Sequence, residues 1–358
     1  MEGSKLVSVG GSKLVPNVQE LAKQTIDKIP PRYVRSDLDA PTIFSNPALS
    51  PTLPVIDLDK LLSAVNMDSE LDRLNSACKD WGFFQLVNHG VDTRLVEKAK
   101  REIQEFFELP IEQKRKFWQR EDNIEGFGQI FVLSDEQKLD WGDMFFMYTL
   151  PINARKPHLF PKLPLPFRDT IDAYSLEMKL LTMKILGMIE KALKMDANEI
   201  TELFEDGVQS MRMNYYPPCP QPEQVIGLAP HSDADGLTIL LQINEMEGLQ
   251  IRKDGMWIPI KSLPNAFIVN IGDILEIVTN GIYRSIEHRA TVNKQKERLS
   301  IATFYSPRFD REIGPAHSLV TEKSPELFRR VIMEDYLKGF VTRKLVGKSY
   351  LDVMRIDN

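Results

Sequence analysis

The sequence predicts a mainly β protein with flanking helices, in which a double-stranded β-helix (jelly-roll) core lies between an α-rich N-terminal region and a C-terminal helix. The first observation is a set of short apolar runs within residues 207–308, at 237–243, 249–251, 267–271 and 299–305. Gly, Asn, Asp and Pro separate these runs, which is typical of short antiparallel strands. The second observation is the helical spacing of apolar residues on both sides of this stretch. Many short antiparallel strands bounded by helices favour a double-sheet barrel.

Length and composition predict a globular protein with a large interior. The 358 residues are 42% hydrophobic, which is enough to enclose a small-molecule ligand. We divide the chain into five parts. They are an N-terminal arm (1–50), an N-terminal region (51–160), bracing helices (161–206), the jelly-roll core (207–308) and a C-terminal helical closure (309–358).

Charge and cysteine content exclude several kinds of partner. The chain has 45 Lys and Arg against 51 Asp and Glu, without a long block of like charge, so we expect no nucleic-acid or membrane partner. Two cysteines, Cys78 and Cys219, are too few for a disulfide framework, and Cys78 has the helical spacing of a core residue. No N-terminal apolar segment or 18-residue apolar run suggests secretion or a membrane span. We therefore expect a cytoplasmic protein, and we expect it to be monomeric.

The first third of the chain mixes short helices and strands. The proline-rich arm contains one amphipathic helix, over residues 18–29, and we expect the arm to wrap over the body. A short strand is predicted at 55–58, and helical spacing follows over 68–78. Residues 81–87 are typical of a buried strand, and apolar residues then predict a helix over 95–110.

The middle and the end of the chain supply the elements around the core. The glycine-containing segment 125–129 lacks the spacing of a phosphate loop and indicates a strand bend or a mobile cover. Aromatic and Met residues follow at strand spacing over 139–148, and a proline-rich link occupies 157–166. Apolar residues over 178–192 predict a long helix that braces a sheet, and those over 327–337 predict a closing helix.

His231 and Asp233, near the start of the core, have the spacing of metal ligands. Side chains alternate along extended backbone, so a His-x-Asp pair at a strand end directs an imidazole and a carboxylate into the same space. A third ligand is needed, and His288 follows in the same β-rich stretch. Two His and one carboxylate on one face of a metal leave the opposite positions open, as a non-haem Fe(II) oxygenase requires. Asp235 has the same parity as Asp233, but Gly236 is expected to break the strand there, so Asp233 is the better candidate.

Arg298 and Ser300 lie on one face of the last predicted strand of the core. A guanidinium group beside a hydroxyl is a suitable receptor for a carboxylate. If the chain between His288 and Arg298 closes a hairpin that pairs even positions with even, all three side chains point inward, and the metal and the carboxylate receptor face one pocket. The alternative is a surface ion pair of Arg298 with Glu287 or Glu297.

Several motifs resemble those of the plant Fe(II)/2-oxoglutarate-dependent dioxygenases. They are Leu-Pro-Val-Ile-Asp at 53–57, Trp-Gly-Phe-Phe-Gln-Leu-Val-Asn-His-Gly at 81–90, Asn-Tyr-Tyr-Pro-Pro-Cys at 214–219, the set His231, Asp233 and His288, and Arg298-x-Ser300. The resemblance covers nearly the whole chain. Within the family, the chain is most similar to the branch that contains thebaine 6-O-demethylase, codeine O-demethylase and a senescence-related plant dioxygenase.

The resemblance implies an enzyme that uses dioxygen and 2-oxoglutarate, releases succinate and carbon dioxide, and depends on ascorbate as reductant. The residues implied to bind and use Fe(II) are His231, Asp233 and His288. The residues implied to hold the 5-carboxylate of 2-oxoglutarate are Arg298, Ser300, Tyr216 and Asn214.

The resemblance also implies where the substrate binds. The candidate substrate-binding residues are Met144, Phe146, Arg212, Phe304 and Ser306, and Phe145 is a further apolar surface on which a flat methoxylated ring would lie. A buried arginine with aromatic neighbours suits a planar, oxygenated or basic small molecule. We expect O-demethylation or hydroxylation of a plant specialised metabolite (an alkaloid, flavonoid or phenylpropanoid), with O-demethylation favoured.

Two other classes of protein are compatible with parts of this pattern. A zinc hydrolase uses the same kinds of ligand, but its metal holds an activated water and needs no separate carboxylate receptor. A non-catalytic small-molecule binding protein on the same fold would be recognised by the loss of a ligand, and all three ligands are present. His89, in a turn-forming Asn-His-Gly sequence, is more typical of a turn or core histidine than of a metal ligand.

Overall fold

A computed structural model describes residues 12–24, 28–36, 51–120, 123–342 and 347–356. The predicted arm therefore lies partly outside the described residues. The part of the predicted helix over 18–29 that is described forms a shorter helix, α1 (Val18–Ala22). None of the helices in the described parts of the chain has the length and apolarity that crossing a bilayer requires.

The strands form two main sheets and one small ribbon. In chain order they are β1 (Val55–Asp57), β2 (Phe83–Val87), β3 (Gly126–Gly128), β4 (Asp143–Leu150), β5 (Val208–Tyr216), β6 (Leu228–His231), β7 (Leu237–Gln242), β8 (Leu249–Lys253), β9 (Met256–Pro259), β10 (Phe267–Ile271), β11 (His288–Ala290), β12 (Arg298–Ser306), β13 (Glu312–Ile313) and β14 (Val331–Ile332). The large sheet has the order β1-β2-β10-β7-β12-β5-β4-β3 and the smaller sheet the order β6-β11-β8-β9. Neighbouring strands are antiparallel, except that β1 and β2 run parallel.

Helices flank the sheets, and the longest helix covers one face of the large sheet. After α1 they are α2 (Leu58–Leu61), α3 (Met67–Ser76), α4 (Thr93–Glu108), α5 (Ile111–Lys114), α6 (Leu165–Leu193), α7 (Glu199–Phe204), α8 (Asp273–Val278), α9 (Met333–Val341) and α10 (Ser349–Val353). The longest of them, α6, contacts α3, α4, β4, β7 and β12. It is therefore the bracing helix that the sequence predicts.

Strict alternation along the central strands separates the core from the site. Odd-numbered residues such as Ile239, Val269 and Ile301 are fully buried in the main hydrophobic core between the sheet and the helices. Even-numbered residues of the same strands, such as Asn270 and Ser300, face the smaller sheet and line an internal cavity. Because successive side chains of a strand point to opposite faces, the same strands build both the core and the site.

The described part of the arm packs against the body as predicted. Val18 is fully buried in a hydrophobic cluster with Trp141. The Asp143 carboxylate accepts the backbone N–H groups of Val18 and Gln19, at 3.0 and 2.7 Å. A buried carboxylate at the N-terminus of α1 satisfies donors that the helix itself leaves free.

Two predicted strands have different ends in the structure. Trp81 ends a π-helical turn, Ala77–Trp81, and the strand β2 starts only after Gly82, whose φ is +61°. A Cβ on Gly82 would lie 2.2 Å from the Arg284 carbonyl oxygen, so glycine is needed there both for its conformation and for its small size. The strand predicted at 55–58 ends at Asp57, where α2 begins.

Two further expectations are corrected by the structure, namely the start of the closing helix and the hairpin considered before Arg298. The closing helix predicted over 327–337 begins only at Met333, because the preceding residues form β14 and pair with β13. The hairpin predicted between His288 and Arg298 does not form, because β11 pairs with β6 and β8 whereas β12 pairs with β5 and β7. The segment 125–129 contains β3 and forms a strand bend next to β4.

Candidate active site

Three side chains converge between the two sheets. His231 is the last residue of β6, His288 is the first residue of the adjacent β11, and the two are paired across the strands. Their Nε2 atoms each lie 3.6 Å from Oδ1 of Asp233, and one ligand atom from each of the three residues lies within 4.8 Å of the others. Among the described residues, this is the group of His, Cys, Asp and Glu side chains that has the spacing of a metal site.

Neighbouring groups fix the orientation of each of these side chains. His231 Nδ1 lies 2.8 Å from the Ala229 carbonyl oxygen, and His288 Nδ1 lies 3.1 Å from the Ile286 carbonyl oxygen. Each Nδ1 therefore donates its proton to a carbonyl, which leaves Nε2 with a free lone pair towards the centre of the site. This is the tautomer that a metal ligand needs.

Asp233 is oriented by two residues that sequence reasoning missed. Its Oδ2 accepts hydrogen bonds from Thr238 Oγ1, at 2.7 Å, and from Asn270 Nδ2, at 2.8 Å. Its Oδ1 is left to face the two histidines. Thr238 and Asn270 are direct cross-strand partners on β7 and β10. The signal in the sequence was a polar residue at an even position in each of two mainly apolar strands.

The electrostatics of the site favour the protonation states that bind a metal. Burial raises the pKa of Asp233, but the two imidazoles and the hydrogen bonds outweigh it and hold the pKa well below its usual range. Burial lowers the pKa of His288 to about 4, against the attraction of Asp233. At neutral pH the carboxylate is therefore charged and the imidazole of His288 is neutral, as metal coordination requires.

Asp235, the alternative carboxylate, has a different environment. Its Oδ2 lies 3.0 Å from Thr238 Oγ1, and it packs against Gly272, where a Cβ would lie 2.3 Å from its Oδ1. Burial and the neighbouring Asp233 raise its pKa well above the usual range. The structure does not place it within the cluster of ligand atoms, which favours Asp233.

An inner cavity, lined by both polar and apolar side chains, extends from these three residues into the barrel. Its far end carries Arg298, Ser300, Asn214 and Tyr216. Asn214 Nδ2 lies 3.3 Å from Ser300 Oγ, Arg298 lies over the Tyr216 ring at 5.4 Å, and Arg298 NH1 lies 3.5 Å from Ser300 Oγ. The four residues predicted to hold a carboxylate are thus brought together.

The chemistry of this cluster fits an anionic ligand. Arg298 is 2% exposed, and its Nε and the Oδ1 of Asn214 are buried without a hydrogen-bond partner. A buried guanidinium with an unused donor is costly unless an anion binds there. The alternative of a surface ion pair of Arg298 with Glu287 or Glu297 is not favoured, because Arg298 is buried and lines the inner cavity.

A second, mainly apolar cavity of about 130 Å³ opens on the other side of the three residues. Its lining shares Arg212, His231, Asp233 and Phe304 with the inner cavity. Most of the remaining lining is apolar and comprises Ile124, Ile130, Phe131, Phe146, Tyr148, Val208, Ala234, Leu337, Phe340 and Val341. We call the two spaces the inner and the outer cavity.

The predicted substrate-binding residues divide into two groups. Phe146, Arg212, Phe304 and Ser306 line the outer cavity. Met144 does not, because it is 1% exposed and packs in a cluster behind the cavity wall with Ile124 and Phe146.

Phe145 also lies away from the outer cavity. It is on the opposite face of β4 and stacks on Phe106 in the main core, with ring centroids 4.9 Å apart. The sequence analysis missed Leu337, Phe340 and Val341 of α9, although their helical spacing marks one face of that helix.

His89 takes no part in either cavity. Its ring packs on Phe267 with centroids 4.5 Å apart, and its Nδ1 accepts the Val91 backbone N–H at 3.1 Å. Burial lowers its pKa. This environment is that of a turn histidine, as the sequence analysis favours.

Two family models match the chain. The 2OG-Fe(II) oxygenase superfamily matches residues 207–307, which contain the three converging residues and the carboxylate-binding cluster. The model described as the N-terminal part of non-haem dioxygenases in morphine synthesis matches residues 53–163.

Similar proteins align with nearly the whole chain. Protein SRG1 of Arabidopsis thaliana is 58% identical over 96% of this chain and 97% of its own length. Oxoglutarate-dependent flavonoid 7-O-demethylase 1 of Ocimum basilicum is 57% identical, with 98% of this chain and 94% of its own length covered. Codeine O-demethylase of Papaver somniferum is 56% identical, with 99% and 100% covered.

A solved structure supports the fold. The crystal structure described as JOX2 in complex with 2OG, Fe and JA has a TM-score of 0.85 and 36% identity to this chain, with 96% of this chain and 99% of that chain covered. The predicted jelly-roll fold with flanking helices is therefore confirmed.

Proposed function

This chain belongs to the 2OG-Fe(II) oxygenase superfamily and is an iron- and 2-oxoglutarate-dependent oxygenase, and from that premise we propose that it removes the methyl group from a planar aromatic methyl ether of plant specialised metabolism. The family resemblance seen in the sequence is thereby confirmed, and the zinc hydrolase and the non-catalytic binding protein are not favoured.

The observation that carries the proposal is the meeting of two unlike cavities at one set of ligands. The inner cavity has the buried guanidinium of Arg298 with Ser300 and Asn214 in its lining, whereas the outer cavity is walled mainly by aromatic and aliphatic side chains. His231 and Asp233 line both. A charged co-substrate in the inner cavity and an apolar substrate in the outer one would each reach the metal from its own side.

We assign roles to residues on this basis. His231, Asp233 and His288 would hold Fe(II), with their Nε2 atoms and Oδ1 directed at one point. Arg298 and Ser300, with Tyr216 and Asn214, would hold the 5-carboxylate of 2-oxoglutarate. The bound iron and co-substrates supply the oxidising equivalents, while the protein positions the reactants and excludes water.

The outer cavity would position a flat aromatic ring. Phe146 and Phe304 offer ring faces and edges, and Arg212 projects a guanidinium whose Nε has no hydrogen-bond partner. A substrate oxygen close to Arg212 would give that group a partner and fix the direction of the ring. An oxygenated aromatic compound such as a methoxyflavone satisfies both requirements.

The products of the proposed reaction distinguish it from simple hydroxylation. One oxygen atom of dioxygen enters succinate and the other enters the methyl carbon. The resulting hemiacetal collapses to a free hydroxyl group and formaldehyde. Each turnover therefore converts one methyl ether, one 2-oxoglutarate and one dioxygen into one phenol, one formaldehyde, one succinate and one carbon dioxide.

The test is an aerobic assay with Fe(II), 2-oxoglutarate and ascorbate against methoxyflavones, methoxylated alkaloids and methoxylated phenylpropanoids, with quantification of succinate, formaldehyde and product mass. We expect equal amounts of formaldehyde and succinate with a planar methyl ether. A product sixteen mass units heavier, without formaldehyde, would replace demethylation by hydroxylation. Binding without succinate for every compound would contradict the proposal altogether.

Three accompanying proposals concern the working state of the enzyme. Ascorbate would keep the open iron site in the ferrous state, so omitting it should lower the number of turnovers. The charge balance and the two buried free cysteines, Cys78 and Cys219, are compatible with a monomer in the reducing cytoplasm. Sedimentation of the purified protein and localisation of a tagged chain test these two points.

A further inference from the structure

Two phenylalanines from distant parts of the chain meet at the outer cavity. Phe131 lies in the loop after β3, and Phe340 lies on α9. Their rings are in edge-to-face contact, with centroids 5.7 Å apart and planes at 88°, and both rings line the cavity. Both residues are only partly buried, so the pair lies where the cavity approaches solvent. We call Phe131 and Phe340 the phenylalanine pair.

The backbone of Phe131 is held in an unusual conformation. Its φ is +65°, in the left-handed region that bulky side chains rarely adopt. Ser12 Oγ donates to the Gln129 carbonyl at 2.8 Å and accepts the Val132 N–H at 3.2 Å, so it bridges the two sides of the turn. Gln137 Nε2 donates to the Phe131 carbonyl at 2.6 Å. Contacts on every side therefore keep a strained backbone in place, and they direct the ring towards α9.

The opposite ring is held by the C-terminal part of the chain. Phe340 also contacts the Tyr350 ring edge-on, with centroids 5.8 Å apart. Gly347 exchanges backbone hydrogen bonds with β6 next to His231, donating to the Pro230 carbonyl at 3.1 Å and accepting from Ser232 at 3.3 Å. The C-terminal segment whose Tyr350 contacts Phe340 is thus joined to the chain next to His231, a proposed iron ligand.

The volume of the outer cavity is small for the substrates proposed above. The cavity measures about 130 Å³, whereas pockets for small organic ligands usually enclose ~300 to 1,000 Å³. A molecule of two or three rings is larger than this cavity, so its binding requires that part of the wall move or that the molecule extend past the phenylalanine pair towards solvent. An edge-to-face contact between two aromatic rings contributes little free energy beyond the area that it buries, so separating the pair enlarges the space at a small cost.

We infer that the phenylalanine pair is the gate of the outer cavity, and that the separation of its two rings sets the largest substrate that the enzyme accepts. The inference rests on the proposed function, since it takes the outer cavity as the substrate site. In this arrangement Phe131 is the fixed half, because its turn is over-determined by Ser12 and Gln137. Phe340 is the half that yields, because its side chain is held by edge-on ring contacts with Phe131 and Tyr350, whereas hydrogen bonds fix the turn of Phe131.

The experiment compares two gate variants with a matched control. Phe131→Gly removes one ring and suits the positive φ, and Phe340→Ala removes the other. Phe309→Ala is the control, because Phe309 is also partly buried and contacts Tyr148 of the cavity wall, with centroids 6.1 Å apart, but does not itself line the cavity. The probes are 7-methoxyflavone and its bulkier 4′-benzyloxy derivative, which carry the same methoxylated ring.

The primary measurement is equilibrium binding of both probes to the anaerobic protein loaded with Fe(II) and 2-oxoglutarate. We expect the ratio of the affinity for the bulkier probe to that for the smaller probe to rise roughly tenfold in each gate variant. The control should stay within about twofold of the wild type. The ratio of kcat/KM values should follow the ratio of affinities.

Two outcomes would overturn the gate. One is an unchanged affinity ratio in both gate variants, and the other is a failure of both variants to bind either probe. Failure of the proposed function gives a different result, in which the probes bind but release no formaldehyde. In that case the affinity ratios alone still decide whether the phenylalanine pair limits the size of the ligand.

Discussion

At the scale of single residues, the two oxygens of Asp233 have different tasks. Oδ1 faces the imidazoles of His231 and His288 at 3.6 Å, while Oδ2 accepts hydrogen bonds from Thr238 and Asn270. The division keeps one oxygen available for a metal and prevents the carboxylate from turning. Hydrogen-bond partners of this kind fix the geometry of metal ligands, and their loss typically lowers metal affinity by ~10- to 100-fold.

The first prediction is that replacing His231, Asp233 or His288 by Ala removes iron and turnover while the fold survives. The loss of iron affinity should exceed the ~10- to 100-fold that loss of an outer partner typically causes. An open site contributes less to folding than a closed structural one, so thermal unfolding of the metal-free variants should remain cooperative. Iron content after anaerobic loading and dialysis measures the effect.

His89→Ala is the matched control for this prediction. His89 stacks on Phe267 outside both cavities, so the variant should retain iron. Full iron occupancy in all three ligand variants would refute the assignment, and loss of iron in His89→Ala alone would indicate a different set of ligands.

The second prediction is that Arg298→Lys keeps iron but weakens 2-oxoglutarate binding by roughly ten- to a hundredfold. A lysine supplies a point charge and cannot reproduce the planar fork of a guanidinium, and charge-assisted hydrogen bonds are worth about 1.5 to 3 kcal/mol. The concentration of 2-oxoglutarate that gives half-maximal succinate formation measures the change.

Arg252→Lys is a suitable control for Arg298→Lys. Arg252 pairs with Glu287 at 3.0 Å, outside the inner cavity, so this substitution should leave the 2-oxoglutarate requirement as it is. An equal requirement in Arg298→Lys and wild type would mean that the co-substrate carboxylate is held by other residues.

Local patterns revealed some of these residues and not others. His231, Asp233, Arg298 and Ser300 stand in short motifs, so their spacing alone indicates a shared face. Thr238 and Asn270 meet only because β7 and β10 pair in one register, although the residues are far apart in sequence. No pattern within a single strand specifies that register, so their contact with Asp233 was not predictable from the sequence.

At the scale of elements, the sequence predicted which side chains of a strand share a face, but it did not predict which strands pair with each other. His288, Arg298 and Ser300 do line one cavity, as expected from the alternation of side chains. The hairpin that was considered between His288 and Arg298 is wrong, since β11 and β12 lie in different sheets. The period of two is a property of each strand by itself, but pairing depends on contacts with strands that are distant in the chain.

Element boundaries depend on the same kind of non-local contact. The strand β2 begins after Gly82 because the Arg284 carbonyl approaches too closely for any side chain. The closing helix is delayed to Met333 because β14 first pairs with β13. Both boundaries are set by segments that are not adjacent in sequence, so the apolar spacing that the sequence analysis used could not locate them.

At the scale of the whole molecule, stability depends on buried carboxyl groups in separate regions. Burial raises the pKa values of Glu125, Asp143 and Asp273 to about 7. A carboxyl group with a raised folded pKa contributes stability that is fully present below its unfolded pKa and is lost as pH rises through the folded pKa. His288 acts in the opposite direction, because its folded pKa is lowered to about 4.

The third prediction isolates one of these groups through Glu125→Gln. Glu125 is 1% exposed, and its Oε2 accepts the Tyr148 backbone N–H at 3.0 Å, an interaction that the amide oxygen of Gln preserves. The free energy of unfolding of the variant, minus that of wild type, should rise between pH 4.5 and about 7 and be constant above that range. The total rise should be about 3 kcal/mol, since the pKa rises from 4.5 to about 7 and one pKa unit corresponds to about 1.4 kcal/mol.

Urea unfolding of the metal-free protein in the presence of a chelator, at half-unit intervals from pH 5 to 8, measures this difference without a contribution from iron binding. Glu136→Gln is the control, because Glu136 is an exposed glutamate in the same part of the chain, and its difference from wild type should vary by less than about 0.5 kcal/mol. The pH dependence of His288, Asp143 and Asp273 is common to wild type and variant, so it cancels in the subtraction. A difference for Glu125→Gln that is as flat as that of Glu136→Gln would show that Glu125 is ionised throughout, with Lys156, 3.9 Å away, compensating for its burial.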